Sequence, residues 1–398
     1  MRPATRPERL VGLDAARAIA ILGMFAAHAL PLLVDSDDGC VEATFAGLVA
    51  SGRASVLFMV ASGLSLNLFA TSLAALGLTR TQRMQVMLRR ALALAALGLL
   101  VGMANEGIAN ILVHYAMLFF LLPLALLIPP VGRWILALAW LAAMPLVRVP
   151  LAQSLDGVRL GHNPNPGDLL QPALLAGDLW VTGYYPLLVW FGYGLLGMAL
   201  GTMPLHRRGT QLALLAAGAL GAAASLTAGW WKVASRGTEL EAKVPDLAGS
   251  LQAALATGRF GPTIDRALLG EGIFQWLPMP HSNSLLFTLH AACCAVAVIG
   301  LCLWLAPRLG AFGRILAAAG RAPLTLYVGH LLLLQMLMPL APENVIFWVL
   351  VAGLLGVGAW LDRSGTQGPL EAFMRWVSGA DRFRSARDPE PPRGPIIS

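Results

Sequence analysis

The sequence predicts an all-α, polytopic integral membrane protein of about ten transmembrane helices with both termini cytoplasmic. Three observations carry that expectation. Of the 398 residues, 57% are hydrophobic and 12% charged, at a mean hydropathy of +0.69, where soluble proteins carry roughly 25% charged residues. Apolar windows of about 20 residues, the length that crosses a bilayer, recur along the chain. The arginines collect in alternate gaps between those windows. This composition excludes a soluble enzyme, and the net charge of +7 is no nucleic-acid signal, because the arginines mark topology.

The windows are 10–33, 54–76, 91–103, 107–128, 134–147, 180–202, 213–230, 283–306, 315–338 and 344–361. The first is too long for a signal-peptide core and holds two charges, so it is expected to be retained. The third is short unless it extends back through Met84–Leu88 with Arg89 and Arg90 snorkelling, and the fifth abuts Pro145. With the N-terminus inside, Arg2, Arg6, Arg9, Arg80, Arg83, Arg89, Arg90, Arg133, Arg207, Arg208, Arg308, Arg314 and the tail arginines all fall on the cytoplasmic side, while Asp35, Asp37, Asp38 and Glu42 fall opposite. That is the positive-inside pattern. Residues 1–381 read as one transmembrane domain and 382–398 (from Arg382, RFRSARDPEPPRGP) as a disordered cytoplasmic tail.

Two loops on the outer side are long. Residues 148–179 hold GHNPNPGD, which argues against a regular element. Residues 231–282 hold two predicted short helices, Asp246–Ala256 and Thr263–Trp276, and loops of that length commonly serve as lids or binding segments. Cys40 stands alone, and Cys293, Cys294 and Cys302 share one apolar segment, so neither a disulfide framework nor a zinc spacing is present and no metal is expected.

The chemistry starts in the first window, which carries Asp14, Arg17 and His28. Charges inside a membrane span are costly, pair with one another and mark function. Asp14 and Arg17, three apart, pair on a helix. Arg17 and His28, eleven apart, share a face about 16 Å apart along the axis. Arg17 and Arg321 lie at matched depth on the cytoplasmic side, where they either grip a phosphorylated donor or pair with Asp14. On the outer side, His28, His114, His281, His290 and His330 lie at similar depth and predict a polar chamber, although His330 is half a turn off the Arg321 face unless Pro323 bends its helix. Any one of these histidines can equally be a structural hydrogen-bonding residue between helices. Pro280-His281-Ser282-Asn283 reads as a helix start with Ser282 or Asn283 as N-cap, its N–H groups facing a developing oxyanion. Tyr184, Tyr185 and Trp190 begin the sixth helix at the same depth, as substrate contacts or as interface anchors.

Several of these stretches resemble heparan-α-glucosaminide N-acetyltransferase-like proteins and the wider transmembrane acyltransferase superfamily. The run Arg9-Leu-Val-Gly-Leu-Asp14-Ala-Ala-Arg17 resembles their opening helix, and Gly52-Arg53 through Phe58 with Ser62-Gly63 resembles their second. Tyr184-Tyr185-Pro186 with Trp190, Pro280-His281-Ser282, Gly320-Arg321-Ala-Pro-Leu-Thr325-Leu-Tyr327 with His330, and Gly368-Pro369-Leu370-Glu371 resemble a related bacterial membrane family of unknown function. Arg17 and His28 are also similar in spacing to the Arg-x10-His pattern of the acyltransferase branch that modifies envelope sugars.

The resemblance implies transfer of an acetyl or other acyl group from cytoplasmic acetyl-CoA to a sugar or envelope glycolipid across the bacterial plasma membrane. It departs at one point: the animal enzyme's catalytic histidine lies in the loop after the first helix, and here residues 34–51 hold none. His28 stands in for it, with His281 and Ser282 as further catalytic candidates. Arg17, Arg321 and Asp14 then serve the donor, and His114, Tyr184, Tyr185, His290 and His330 the acceptor. Expected partners are membrane lipids, the acceptor and, in a homodimer, a second copy, with no nucleic acid. The competing expectation is a transporter with its helices arranged five plus five.

Overall fold

The structure is a computed structural model that describes residues 10–36, 40–104, 108–155 and 158–379. It is nearly all helix. Apolar segments have no water to satisfy their backbone groups, and the helix satisfies them internally. Chain order gives α1 (Val11–Ala29), α2 (Phe45–Ala50), α3 (Arg53–Ala75), α4 (Arg80–Ala104), α5 (Leu112–Leu121), α6 (Pro130–Ser154), α7 (Pro172–Gly177), α8 (Leu187–Leu200), α9 (Arg208–Ala234), α10 (Gly237–Lys243), α11 (Leu251–Thr257), α12 (Gly261–Leu268), α13 (Leu285–Leu305), α14 (Gly310–Ala319), α15 (Pro323–Leu337), α16 (Glu343–Ser364) and α17 (Pro369–Ser378). Short strands Leu33–Asp35 and Val41–Ala43 form an antiparallel hairpin after α1, with Leu33 opposite Ala43.

Among the described residues seven helices, counting α2–α3 as one, are long and apolar enough to cross a membrane. Two further pairs pass that test only as broken helices: Pro172–Thr182 with α8, bent by 56°, and α14 with α15, bent by 75°. The shorter apolar stretch Leu112–Leu127 completes the set. Each window expected from the sequence thus meets an apolar helical element, but two are bent and one is short. The third window extends back as expected, since α4 begins at Arg80, and α6 continues as one helix past Pro145 and Pro150 to Ser154.

The centre of the molecule is built from α1, α3, α8 and α13, whose side chains supply most of the main core. Small residues let these helices close on one another. A Cβ at Gly63 of α3 would sit 2.1 Å from the Gly194 carbonyl oxygen of α8, and one at Gly320 would sit 1.7 Å from the Asp14 carbonyl oxygen of α1. In contrast α6, α9 and α16 keep large apolar side chains such as Ile135, Leu220 and Val349 on their outer faces, with Trp231, Trp348 and Trp360 also exposed. These suit lipid contact.

Both long loops are more ordered than the sequence suggests. Residues 148–179 include the end of α6, a 3-10 turn at Pro166–Leu170 and α7, followed by a π-helical turn at Asp178–Thr182. Asn165 and Asp168 form a capping box there, which is how a Gly-, Pro- and Asn-rich stretch keeps a fixed shape. Residues 231–282 hold α10, α11, α12 and a 3-10 turn at Gly272–Trp276, around a second core that includes Leu240, Leu251, Leu255, Ile264, Leu268, Phe274 and Leu277. The predicted 246–256 and 263–276 helices are therefore shorter than expected, each divided into a helix and a 3-10 turn. The expected disordered tail, 382–398, lies outside the described residues.

Candidate active site

The last turn of α1 presents His28, and α15 presents His330. Nδ1 of His28 and Nε2 of His330 are 3.1 Å apart, and the rings stack at 5.4 Å with 8° between planes. One ring donates and the other accepts, so the neutral pair holds one hydrogen between them. His330 is buried against Phe25 and Tyr327, at centroid distances of 5.0 and 5.1 Å, and the Tyr327 hydroxyl accepts from the Ile111 N–H at 3.2 Å. The bend between α14 and α15 brings His330 to His28. Counting residues from Arg321 across Pro323 misses this, because the helix does not continue through it.

His28 also lines a cavity of about 330 Å³ shared with His281, Tyr184, Tyr185, Arg259 and Glu343. His281 has φ +62° and Asn283 φ +55°, in the left-handed region that costs most side chains energy. That turn is held on all sides. The Trp190 indole N–H donates to Asn283 Oδ1 at 3.0 Å, Asn283 Nδ2 donates to the His281 carbonyl at 2.8 Å, and the Ser282 hydroxyl donates to the Met279 carbonyl at 2.7 Å. His281 consequently lies against Tyr184 (4.2 Å between centroids) and edge-on to Tyr185 (5.7 Å). Burial, with His28 nearby, pushes the His281 pKa down to about 3. Its imidazole is neutral at physiological pH, and its Nδ1 has no hydrogen-bond partner among the described residues.

The N-cap of α13 is Ser284, not Ser282 or Asn283. Its hydroxyl oxygen accepts from the Phe287 N–H at 3.1 Å, and the Leu285 N–H is taken by Gln275 Oε1 at 2.8 Å. With these donors spent inside the protein, the start of α13 is not arranged as an oxyanion site.

A second cavity of about 320 Å³ shares Tyr184, Tyr185 and His281 with the first and adds His114, Arg148, Arg159, Asp178 and Asp265. His114 meets Tyr185 edge-on at 5.6 Å. Arg148 is buried and joins two walls, donating to the Val181 carbonyl at 3.0 Å and the Ser282 carbonyl at 3.1 Å. Burial pushes the Asp265 carboxyl up to about 6 against the pull of Arg148 and Arg159. Nothing in the sequence singles out Arg148, Arg159, Arg259 and Asp265, because charges in a long loop look like solvated surface. His290 belongs elsewhere: its Nε2 accepts from Arg53 Nε at 3.1 Å and its Nδ1 lies 3.0 Å from the Ala222 carbonyl, so it joins α3, α9 and α13 and lines neither of these cavities.

Toward the other end of α1 a cavity of about 250 Å³ is lined by Arg17, Arg90, Arg321, Tyr115, Ser62, Ser65 and Glu371. Arg17 pairs with Asp14 at 2.7 Å and also donates to the Ser65 hydroxyl. Arg321 donates to the Leu361 carbonyl at 2.7 Å. Of the two pairings open to Asp14 in the sequence, the structure forms the one within the helix. Glu371 caps α15, accepting from the Leu324 N–H (2.7 Å), the Thr325 N–H (3.2 Å) and the Thr325 hydroxyl (2.6 Å), while Thr325 Oγ1 accepts from the Leu370 N–H at 3.1 Å. The two motifs around Arg321 and Glu371 are thus the halves of one clip. Between this cavity and the histidines, α1 buries Ala20, Ile21, Met24 and Phe25 in the core.

The sequence profile of the heparan-α-glucosaminide N-acetyltransferase catalytic family matches residues 9–229, more than half of the chain. The chain belongs to that family. No curated protein sequence matches it. The part matched to the acetyltransferase family contains Asp14, Arg17, His28, His114, Tyr184 and Tyr185, and it ends before His281, Arg321 and His330. With its apolar helices, the protein is a multi-pass membrane protein of an acetyltransferase family.

Proposed function

We propose that this protein transfers an acetyl group from acetyl-CoA, taken from the cytoplasm, to an acceptor sugar or envelope glycolipid on the outer side of the bacterial plasma membrane. The chain then crosses ten times with both termini inside, the arginine cavity opens to the cytoplasm, and the histidine cavity lies toward the outside under residues 231–282. The observation that carries the reading is His28, hydrogen-bonded from behind by the buried His330, on the wall of a cavity also lined by His281 and two tyrosines.

Acetyl-CoA supplies an activated thioester. Arg17, Arg90 and Arg321 fit its phosphates. For His28 to accept a proton at Nε2, its hydrogen must sit on Nδ1 and donate to His330 Nε2. As the acceptor oxygen or nitrogen attacks the thioester carbon and the C–S bond breaks, His28 takes the acceptor's proton and returns it to the departing thiolate. Its charge in between strengthens that hydrogen bond, so His330 both orients the base and steadies its charge. Tyr184 and Tyr185 offer ring faces and edges to a sugar. Transport is less well served. A five-plus-five repeat puts broken helices at corresponding positions, whereas the bent pairs here are the sixth and ninth segments and α1 is continuous.

His28→Asn tests the reading. Asparagine keeps much of the shape and can hydrogen-bond, but it cannot take up a proton near neutral pH. Acetyl-CoA hydrolysis or acyl transfer is expected to fall by about 10²-fold or more, while coenzyme A still raises the melting midpoint. A folded variant with near wild-type turnover overturns the assignment.

A further inference from the structure

The arginine cavity contains a cation whose N–H donors its own fold leaves unspent among the described residues. Arg17 is committed to Asp14 and Ser65, and Arg321 is held by the Leu361 carbonyl. Arg90 lines the same cavity from α4, is half-buried, and stacks 4.9 Å over the Phe69 ring, with Glu371 and Tyr115 on the same cavity wall. Among the described residues its guanidinium makes no hydrogen bond and no ion pair. The one carboxylate on the cavity wall, Glu371, spends both oxygens on the start of α15. A desolvated charge without a partner is strongly disfavoured. A guanidinium left free, facing a cavity with two more guanidinium groups and the hydroxyl-bearing Tyr115, Ser62 and Ser65, is complementary to a multiply charged anion.

We infer that this cavity binds a phosphoryl group with Arg90 as its principal ligand, and that Arg321 and Arg17 complete the shell without giving up their internal partners. The size of the cavity, about 250 Å³, suits a pyrophosphate-sized group with the rest of the ligand outside it. The choice of coenzyme A as the source of that group rests on the acetyltransferase reading. The phosphoryl site itself does not, because a lipid headgroup phosphate offers the same oxygens.

The test uses the whole protein and Arg90→Gln and Arg90→Lys. Binding of coenzyme A, inorganic pyrophosphate and phosphate-free pantetheine is measured by calorimetry in nanodiscs of phosphatidylcholine. Stability is compared in discs of phosphatidylcholine and phosphatidylglycerol. Arg90→Gln is expected to weaken coenzyme A and pyrophosphate by about tenfold to hundredfold and to leave pantetheine unaffected, with Arg90→Lys between, since lysine keeps the charge and loses the planar fork. Without ligand, Arg90→Gln is expected to melt at or above the wild-type midpoint, which a merely structural arginine would not do. Stabilisation by phosphatidylglycerol that Arg90→Gln removes, with no coenzyme A binding, keeps the site and overturns its source together with the donor assignment. Arg90-dependent coenzyme A binding in a protein that transfers no acyl group keeps this site and overturns only the catalytic reading. Equal affinity of wild type and Arg90→Gln for every phosphoryl probe overturns the inference.

Discussion

Replacing Glu371 by alanine removes three hydrogen bonds at once, from the Leu324 N–H, the Thr325 N–H and the Thr325 hydroxyl. Nothing local replaces them, because α15 begins with Pro323 after Ala322, a residue with no side chain that can cap. A lost N-cap costs about 0.5–2 kcal/mol, and a hydrogen bond to a charged acceptor is worth about 1.5–3 kcal/mol. The three bonds share one carboxylate and do not add fully, so Glu371→Ala is expected to cost about 3–5 kcal/mol. Glu371→Gln keeps a carbonyl oxygen for the two N–H groups, and its amide can donate to Thr325 Oγ1, so about 1 kcal/mol is expected. The assay is the fraction of detergent-solubilised protein that stays monodisperse after heating. At roughly 2–4 °C per kcal/mol, alanine lowers the midpoint by about 6–20 °C, with glutamine close to wild type. Equal midpoints for alanine and wild type would refute the clip between residues 323–325 and 368–371.

Two further outcomes are expected. Gly320→Ala puts a Cβ into the backbone of α1 at Asp14 and should cost about 3 kcal/mol or more, whereas Gly329→Ala, with nothing within 4 Å, is a neutral or slightly stabilising control; both are read as melting midpoints, and equal effects refute the close α1–α14 contact. His281 binds a proton in the unfolded chain between its ordinary 6.5 and about 3 but not in the native state, so it lowers stability as pH falls through that window. His281→Asn, which tolerates the left-handed backbone, should flatten the fall in midpoint between pH 7 and 4, and parallel curves for the two proteins would sink that account.

Periodicity and composition reach the helices and the local ion pair, since spacing alone puts Asp14 one turn from Arg17. They place His28 near a chamber, because depth along a span can be counted from its ends. Depth does not carry direction around the helix axis, so by depth alone His290 belongs with the other histidines, although it faces Ala222 of α9 and Arg53 of α3. Residue counting also fails across a break: His330 looks misaligned with Arg321 only if α14 and α15 are one rod. Arg89 and Arg90 read alike as snorkelling neighbours, yet a step of one residue turns the side chain by 100° and puts Arg90 in the cavity. Ser282, Asn283 and Ser284 are all acceptable caps by residue type. Two left-handed residues, His281 and Asn283, which residue type permits but does not dictate, hand the role to Ser284.

The ion pair in α1 also bears on how the chain is made. His330 follows His28 by 302 residues, and at about 5–20 residues per second of synthesis the first helix waits roughly 15–60 s for the partner that completes it. During that interval it must reside in lipid without α13, α14 or α15 around it. A lone arginine would strongly disfavour that residence. Because Asp14 sits one turn away on the same helix, at 2.7 Å from Arg17, the charge is neutralised from within as soon as the segment coils. The helix carries its own counterion through biogenesis.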